Sequence, residues 1–263
     1  MMNLRKRLNL PREHGAWAML YIPFVLGVLV AGRATAATGL LLLAVSALFI
    51  SRESLLAWMR ARRRNRPAGE AGRWLLGYLG IAAAAGAPLL LAYRFPFLLP
   101  MGAAGLLLLL LNGTQGAQLA ERSIRNELLA IAAMTMTAPA AFAVSHGRWT
   151  ATALWLWALS LIYFASSVFY VKLRVAGLHA KGDPGPARRN CFYFHAALLA
   201  ALLLLCATSA LPPLAVAAFL PALGRSFWSL ARPAARADLQ RAGWLEVAYS
   251  LIFLGALTAS FSG

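Results

Sequence analysis

The residues able to do chemistry are few, and they stand beside apolar runs. His14 lies in Pro11-Arg12-Glu13-His14-Gly15-Ala16-Trp17, where an imidazole could exchange protons or hold a polar headgroup. The same stretch also reads as a plain helix start. Pro11 suits a first turn, Glu13 complements the helix dipole, and Trp17 anchors at an interface. Glu53 is the one carboxylate between Ala37 and Trp58 and is the only catalytic candidate, a weak one. Arg52 precedes it but points roughly 100° around a helix, so adjacency alone does not make an ion pair. In Glu121-Arg122-Ser123-Ile124-Arg125-Asn126-Glu127, helical spacing puts Arg122, Arg125 and Asn126 on one face. That face could hold an anionic group, or be an interfacial helix end solvated by water and lipid phosphate. Lys172 and Arg174 follow Ser166, Ser167 and Tyr170, which either line a polar cavity or pack as small residues between helices.

Several chemistries are excluded. Cys191 and Cys206 are the only cysteines, too few for a disulfide framework. His195 follows Cys191 by four residues with no second ligand pair, so no resident metal is expected. The chain has no GxGxxG, Walker A, HExxH, CxxC or GxSxG pattern, the signatures of many soluble enzymes.

These groups must be positioned by helices in lipid. The 263 residues are 61% hydrophobic and 13% charged, against roughly 25% charged in a soluble domain. Nine apolar segments run from Ala16 to Val30, Ala37 to Trp58, Leu75 to Tyr93, Phe95 to Leu111, Glu127 to Val144, Thr150 to Val171, Phe192 to Leu211, Pro212 to Leu230 and Trp244 to Phe261. Each approaches the ~20 residues that cross a ~30 Å hydrocarbon core. Helices are required there, because a backbone in lipid must satisfy its own hydrogen bonds. The expected fold is a single all-α domain over 1–263, a polytopic bundle of about nine spans. The joins at Arg94 and at Pro212-Pro213 are short enough to be full crossings, kinks or re-entrant turns. Met134 to Pro139 reads as a kinked core helix whose Thr135 and Thr137 recapture freed carbonyls. No cleavable leader is expected, since Pro23 and Gly27 interrupt the first apolar run.

Charge sets the orientation. All but Arg33, Arg94 and Arg148 of the 25 Lys and Arg residues fall in alternate gaps or in the segment halves that border them. Short cytoplasmic loops retain Lys and Arg, so the N-terminus is expected in the cytoplasm and the C-terminus outside, in a bacterial inner membrane. The eight acidic residues share the basic side, so polar groups of both signs meet there. The net charge of +17 does not indicate nucleic acid, because the cations sit in short loops. Anionic lipids are the expected partners, at about 1 kcal/mol of attraction per basic residue near the surface.

The start Arg12-Glu13-His14-Gly15-Ala16-Trp17-Ala18-Met19, with Pro23-Phe24 and Gly27, resembles the YwiC-like family of bacterial membrane proteins. Glu121-Arg122, Glu127-Leu128, Ala138-Pro139-Ala140 and Ser166-Ser167 with Tyr170-Val171 extend the resemblance over most of the chain. It implies a membrane location and no particular reaction. A more distant similarity is to the UbiA-type membrane prenyltransferases, which have nine spans and cytoplasmic polar loops after spans two and six. Their Asn-x-x-x-Asp-x-x-x-Asp motif before Arg-Pro holds Mg²⁺ on an isoprenoid diphosphate. Anchored on Arg66-Pro67, that triplet falls on Phe49, Glu53 and Ala57. The second aspartate motif is replaced by Lys172 and Arg174, and Arg122 matches a basic residue before span five. A Mg²⁺–diphosphate site needs several carboxylates, whereas Lys and Arg can neutralise phosphate directly.

The expectation is therefore a cytoplasm-facing polar pocket lined by His14, Glu53, Arg122, Asn126, Lys172 and Arg174. It would bind an anionic phospholipid or isoprenoid phosphate, without metal or other cofactor. The alternatives are a prenyltransferase with unusual Mg²⁺ ligands, and a transporter of a small anion or lipid.

Overall fold

The computed structural model describes residues 14–65, 67–116, 124–178, 185–232 and 239–261, and their regular elements are all α-helices. In order these are α1 (His14–Val30), α2 (Ala36–Arg63), α3 (Gly69–Leu91), α4 (Leu98–Gly116), α5 (Ile124–Thr135) and α6 (Thr137–His146). They continue as α7 (Ala151–Leu178), α8 (Gly185–Ala207), α9 (Pro213–Ala217), α10 (Leu220–Ala231) and α11 (Leu239–Phe261). Helices α5 with α6, and α9 with α10, each make one interrupted rod. Among the described residues, seven rods are long and apolar enough to cross a membrane. Those within Gly15–Val30 and Leu98–Leu107 are shorter apolar helices.

Several helices overrun the apolar segments that foretell them. Helix α2 continues past Trp58 to Arg63, α3 starts at Gly69 and not Leu75, and α8 starts at Gly185 and not Phe192. Hydropathy marks hydrocarbon depth, whereas Ala, Arg, Glu and Met hold a helix beyond it. The 28 residues of α2 are about 42 Å long at 1.5 Å per residue. The short joins contain true turns. Arg94 and Ser209 both have φ of 57°, and around Ser209 the Ser209 N–H meets Cys206 O while the Ala210 N–H meets Leu205 O. That pair of bonds is the Schellman ending of a helix.

The break between α5 and α6 falls at Met136, three residues before Pro139, which lacks an N–H. Carbonyls at the break are met by side chains. Thr135 Oγ1 donates to Ile131 O at 2.8 Å and reaches Ala132 O at 3.3 Å, and Thr137 Oγ1 donates to Met134 O at 2.9 Å. Trp157 Nε1 from α7 donates to Ala132 O at 3.1 Å. Thr137 also reaches Leu20 O in α1 at 2.8 Å, so the kink doubles as a cross-link.

Helices α1, α6 and α7 form the middle of the bundle. Leu26, Ala138, Phe142, Ala153, Leu156 and Tyr163 belong to one buried apolar cluster, and Phe24, Leu41, Leu89 and Ala141 to a second. Gly27 brings α1 against α6 so closely that an added Cβ would stand 2.3 Å from Ala138 O. On the outer helices, by contrast, Leu76, Leu91, Leu204, Leu251 and Ile252 are exposed. An apolar exterior of this extent is a lipid-facing surface, not a soluble one.

One end of the bundle is stitched by its short loops. Arg33 donates from Nε to Ser145 O and from Nη2 to His146 O, each at 2.6 Å. A cation at these carbonyls closes the C-terminus of α6. Thr38 and Ser145 share a buried hydroxyl bond at 2.8 Å, and the Phe97 and Trp149 rings lie 5.9 Å apart. The loops carrying Arg33, Arg94 and Arg148 thus share one end.

Candidate functional site

The opposite end holds the charges. Of the residues singled out by sequence, His14 begins α1 with its side chain outside the described residues, and Arg122 lies outside them altogether. Glu53 accepts a hydrogen bond from Arg52 Nη1 at 3.0 Å. The neighbours pair although they point in different directions, because the long arginine bends around the helix. Asn126 is half-buried near the start of α5. Next to it, Glu127 Oε1 meets Lys172 Nζ at 3.2 Å, which draws the end of α7 against α5. Arg174 is half-buried, and its Nε is buried without a hydrogen-bond acceptor. The cations expected to receive an anion are thus partly occupied: Lys172 faces a carboxylate of the protein itself.

A denser polar cluster lies between α7, α10 and α11, and its centre escaped sequence reasoning. Arg225 pairs through Nη1 with Glu246 Oε1; the Arg225 side chain is 6% exposed and that of Glu246 20%. Ser167 Oγ donates to Glu246 Oε2 at 2.7 Å. The guanidinium lies over the Tyr170 ring at 4.0 Å and near the Tyr249 ring at 5.7 Å, favourable positions for a cation on aromatic faces. Nε and Nη2 of Arg225 have no hydrogen-bond partner among the described residues. Below the pair, Ser250 Oγ donates to Glu246 O at 2.8 Å, and the Tyr163 hydroxyl approaches Ser250 Oγ at 3.5 Å. Tyr163 stacks on Phe253 at 4.0 Å, with Phe219 edge-on to both. This aromatic floor fixes the helices that present the charges.

Alongside, α8 carries Cys191 and His195, both fully buried. His195 Nδ1 lies 2.7 Å from Cys191 O. A carbonyl only accepts, so Nδ1 carries a proton, which in the neutral ring leaves Nε2 as an acceptor; Nε2 has no partner among the described residues. Ser167 and Tyr170, read from sequence as cavity lining or packing, do join polar groups, while Ser166 is buried with its hydroxyl unpaired. Among the described residues no group of three His, Cys, Asp or Glu side chains converges.

Arg225 and Glu246 were countable as loop-side charges, yet each stands inside an apolar segment. An ionisable residue within a span is the signal that could have singled them out.

A groove opens at the same end, where α8 begins and α10 finishes. It has a volume of about 310 Å³ and is lined by Gly185, Arg188, Arg189, Phe192, Tyr193 and Leu230. Arg188 Nη2 donates to Leu230 O at 3.1 Å, tying the two helices at its base. Arg189, Phe192 and Tyr193 remain exposed. This combination places cationic and aromatic side chains beside apolar helix surface.

The model of one protein family, described as YwiC-like protein, matches residues 10–142. No curated protein and no solved structure matches the chain. The match runs from the start of the chain through most of α6 and includes Glu53, Asn126 and the Gly27 crossing. It covers half of the sequence, and the chain belongs to the YwiC-like protein family.

Proposed function

We propose that this protein spans a bacterial inner membrane nine times and binds an anionic phospholipid or isoprenoid phosphate at its cytoplasmic end. Residues 1–263 form one domain in this reading, with the N-terminus inside and the C-terminus outside. Twenty of the 25 Lys and Arg residues lie in alternate gaps and only three in the others, which supports the orientation. So does the meeting of the Arg33, Arg94 and Arg148 loops at a single end.

The observation that carries the ligand class is the groove at the start of α8. Arg188 and Arg189 can neutralise a phosphate, and Phe192 and Tyr193 suit headgroup depth. Asn126, Lys172 and Arg174 are then further contributors at the cytoplasmic end, His14 and Arg122 are contributors proposed from sequence alone, and Glu53 acts as a counter-charge. Native mass spectrometry of the detergent-purified protein tests this. An anionic lipid should remain bound to the wild type and be depleted in Arg188→Ala/Arg189→Ala. Retention of the same lipid by the double variant, or its absence from the wild type, would remove the reading.

A UbiA-like prenyl transfer fits less well. Its Mg²⁺ would need several hard oxygen ligands, whereas Glu53 is paired with Arg52 and no acidic trio converges among the described residues. The described residues do not fit the metal. Transport of a small anion or lipid has one feature in its favour, the two interrupted rods at Met136 and at Ala218-Phe219. Broken helices in transporters face a polar site near the midplane. Here carbonyls at the break are met by Thr135, Thr137 and Trp157, and the ion pairs gather toward one end.

A further inference from the structure

We infer that Arg225 is a buried phosphate-recognition residue, with the Nε/Nη2 edge of its guanidinium as the binding edge. The argument starts from supply and demand of hydrogen bonds. A guanidinium has five N–H donors, no acceptor, and a charge it cannot lose. Arg225 is more than nine-tenths buried, and only Nη1 meets an acid, Glu246. Nε and Nη2 find no acceptor among the described residues, which is costly at such depth.

The two orphaned nitrogens lie on one edge, the edge that grips an oxyanion through two parallel bonds. The Tyr170 ring covers the guanidinium at 4.0 Å, with the Tyr249 ring 5.7 Å away, and the open donors are those of the edge. Glu246 leaves the pair close to neutral and is itself held by Ser167. A second acceptor of low charge therefore suits the site: a monoanionic phosphate or phosphodiester, not a multiply charged diphosphate.

Leu230 borders the groove at the start of α8, and Arg225 lies five residues earlier on α10, about 7.5 Å along the helix. Helices α8 and α10 pack against each other. A phosphate drawn to Arg188 and Arg189 is thereby brought to the end of the bundle that holds Arg225. In its lipid form the inference rests on the proposed lipid-binding function; in its bare-phosphate form it does not.

The test is thermal stabilisation of the detergent-purified full chain by three probes: phosphatidylglycerol, phosphate-free diacylglycerol and inorganic phosphate. Wild type should be stabilised by a phosphate-bearing probe and not by diacylglycerol. Stabilisation by phosphatidylglycerol alone identifies a lipid source, and stabilisation by inorganic phosphate identifies a soluble one. Arg225→Gln should abolish the shift. Arg225→Lys, which keeps charge and fold but loses the paired edge, should weaken binding by about tenfold. Glu246→Gln should keep the shift or enlarge it, because a competing negative charge is gone.

Three results overturn the inference: no probe stabilises the wild type; Arg225→Lys binds like the wild type; or the Arg225 and Glu246 variants lose binding equally, as a purely structural pair would. A lipid shift lost in Arg188→Ala/Arg189→Ala but intact in the Arg225 variants sinks this inference and leaves the lipid-binding function standing. Inorganic phosphate bound through Arg225 with no lipid bound does the reverse.

Discussion

Replacing Gly27 by alanine tests the closest helix crossing in the bundle. An ideal Cβ at Gly27 would stand 2.3 Å from Ala138 O and 2.8 Å from Phe142 N. A carbon–oxygen contact needs about 3.3 Å, so α1 and α6 must separate by about 1 Å. Both opposing atoms belong to the α6 backbone, and no side-chain rotation can relieve the overlap. Overpacking of this kind costs about 1–3 kcal/mol. The separation also pulls on the 2.8 Å bond from Thr137 Oγ1 to Leu20 O, adding up to about 1 kcal/mol. Alanine's better helix propensity offsets at most about 1 kcal/mol of this. Gly80→Ala is the matched control, because a Cβ there meets nothing within 4 Å and only the propensity gain acts. At about 2–4 °C per kcal/mol for a chain of this size, Gly27→Ala should melt several degrees below Gly80→Ala. Fluorescence-detected size-exclusion chromatography after a heat ramp reads the difference. Equal midpoints, or Gly27→Ala above the control, would refute the close crossing.

The stitched end offers three further tests. Arg33→Gln removes two charge-assisted bonds to the α6 carbonyls and should cost about 2–4 kcal/mol, seen as a lower melting midpoint; an unchanged midpoint would mean that the staple contributes nothing. Gly147 has φ of 92°, and an added Cβ would lie 3.3 Å from Arg33 Nη2. Gly147→Ala should therefore destabilise by about 1–2 kcal/mol, with a smaller loss in the Arg33→Gln background. Ser209, left-handed at φ 57°, should gain about 1 kcal/mol on Ser209→Gly. A lowered midpoint there would contradict the helix ending seen at that residue.

The sequence showed the elements well because lipid imposes a strong, simple pattern. A run of apolar residues near membrane length can only be a helix, and Thr135, Thr137 and Pro139 even foretold the break with its side-chain-bonded carbonyls. Helix ends were misjudged where hydropathy stops but propensity continues, as at Arg63 and Gly69. The candidate site was legible only in part. Sequence spacing groups residues along one helix, as with Arg122, Arg125 and Asn126, of which Arg122 lies outside the described residues. Spacing could not reveal that Lys172 meets Glu127 across two helices, or that Arg52 bends to Glu53. Arg225 and Glu246 were obscured for a different reason. Counted by loop they support orientation, and only their depth inside a packed bundle marks them as a pair.

Helix α7 is the element that joins the two polar regions, and its register explains how. Ser167 and Tyr170 face Glu246 and Arg225 on α11 and α10, whereas Lys172, two residues beyond Tyr170, faces Glu127 on α5. Two residues advance a helix by about 200°, so these contacts leave opposite sides of one rod. The first half of the chain, which the family match covers, is thereby clamped at Lys172 to the helix that also positions the buried pair. Below, the stacked Tyr163 and Phe253 rings and the edge-on Phe219 hold α7 against α10 and α11. The Lys172–Glu127 pair and the buried guanidinium therefore belong to one polar end, presented by opposite sides of a shared helix.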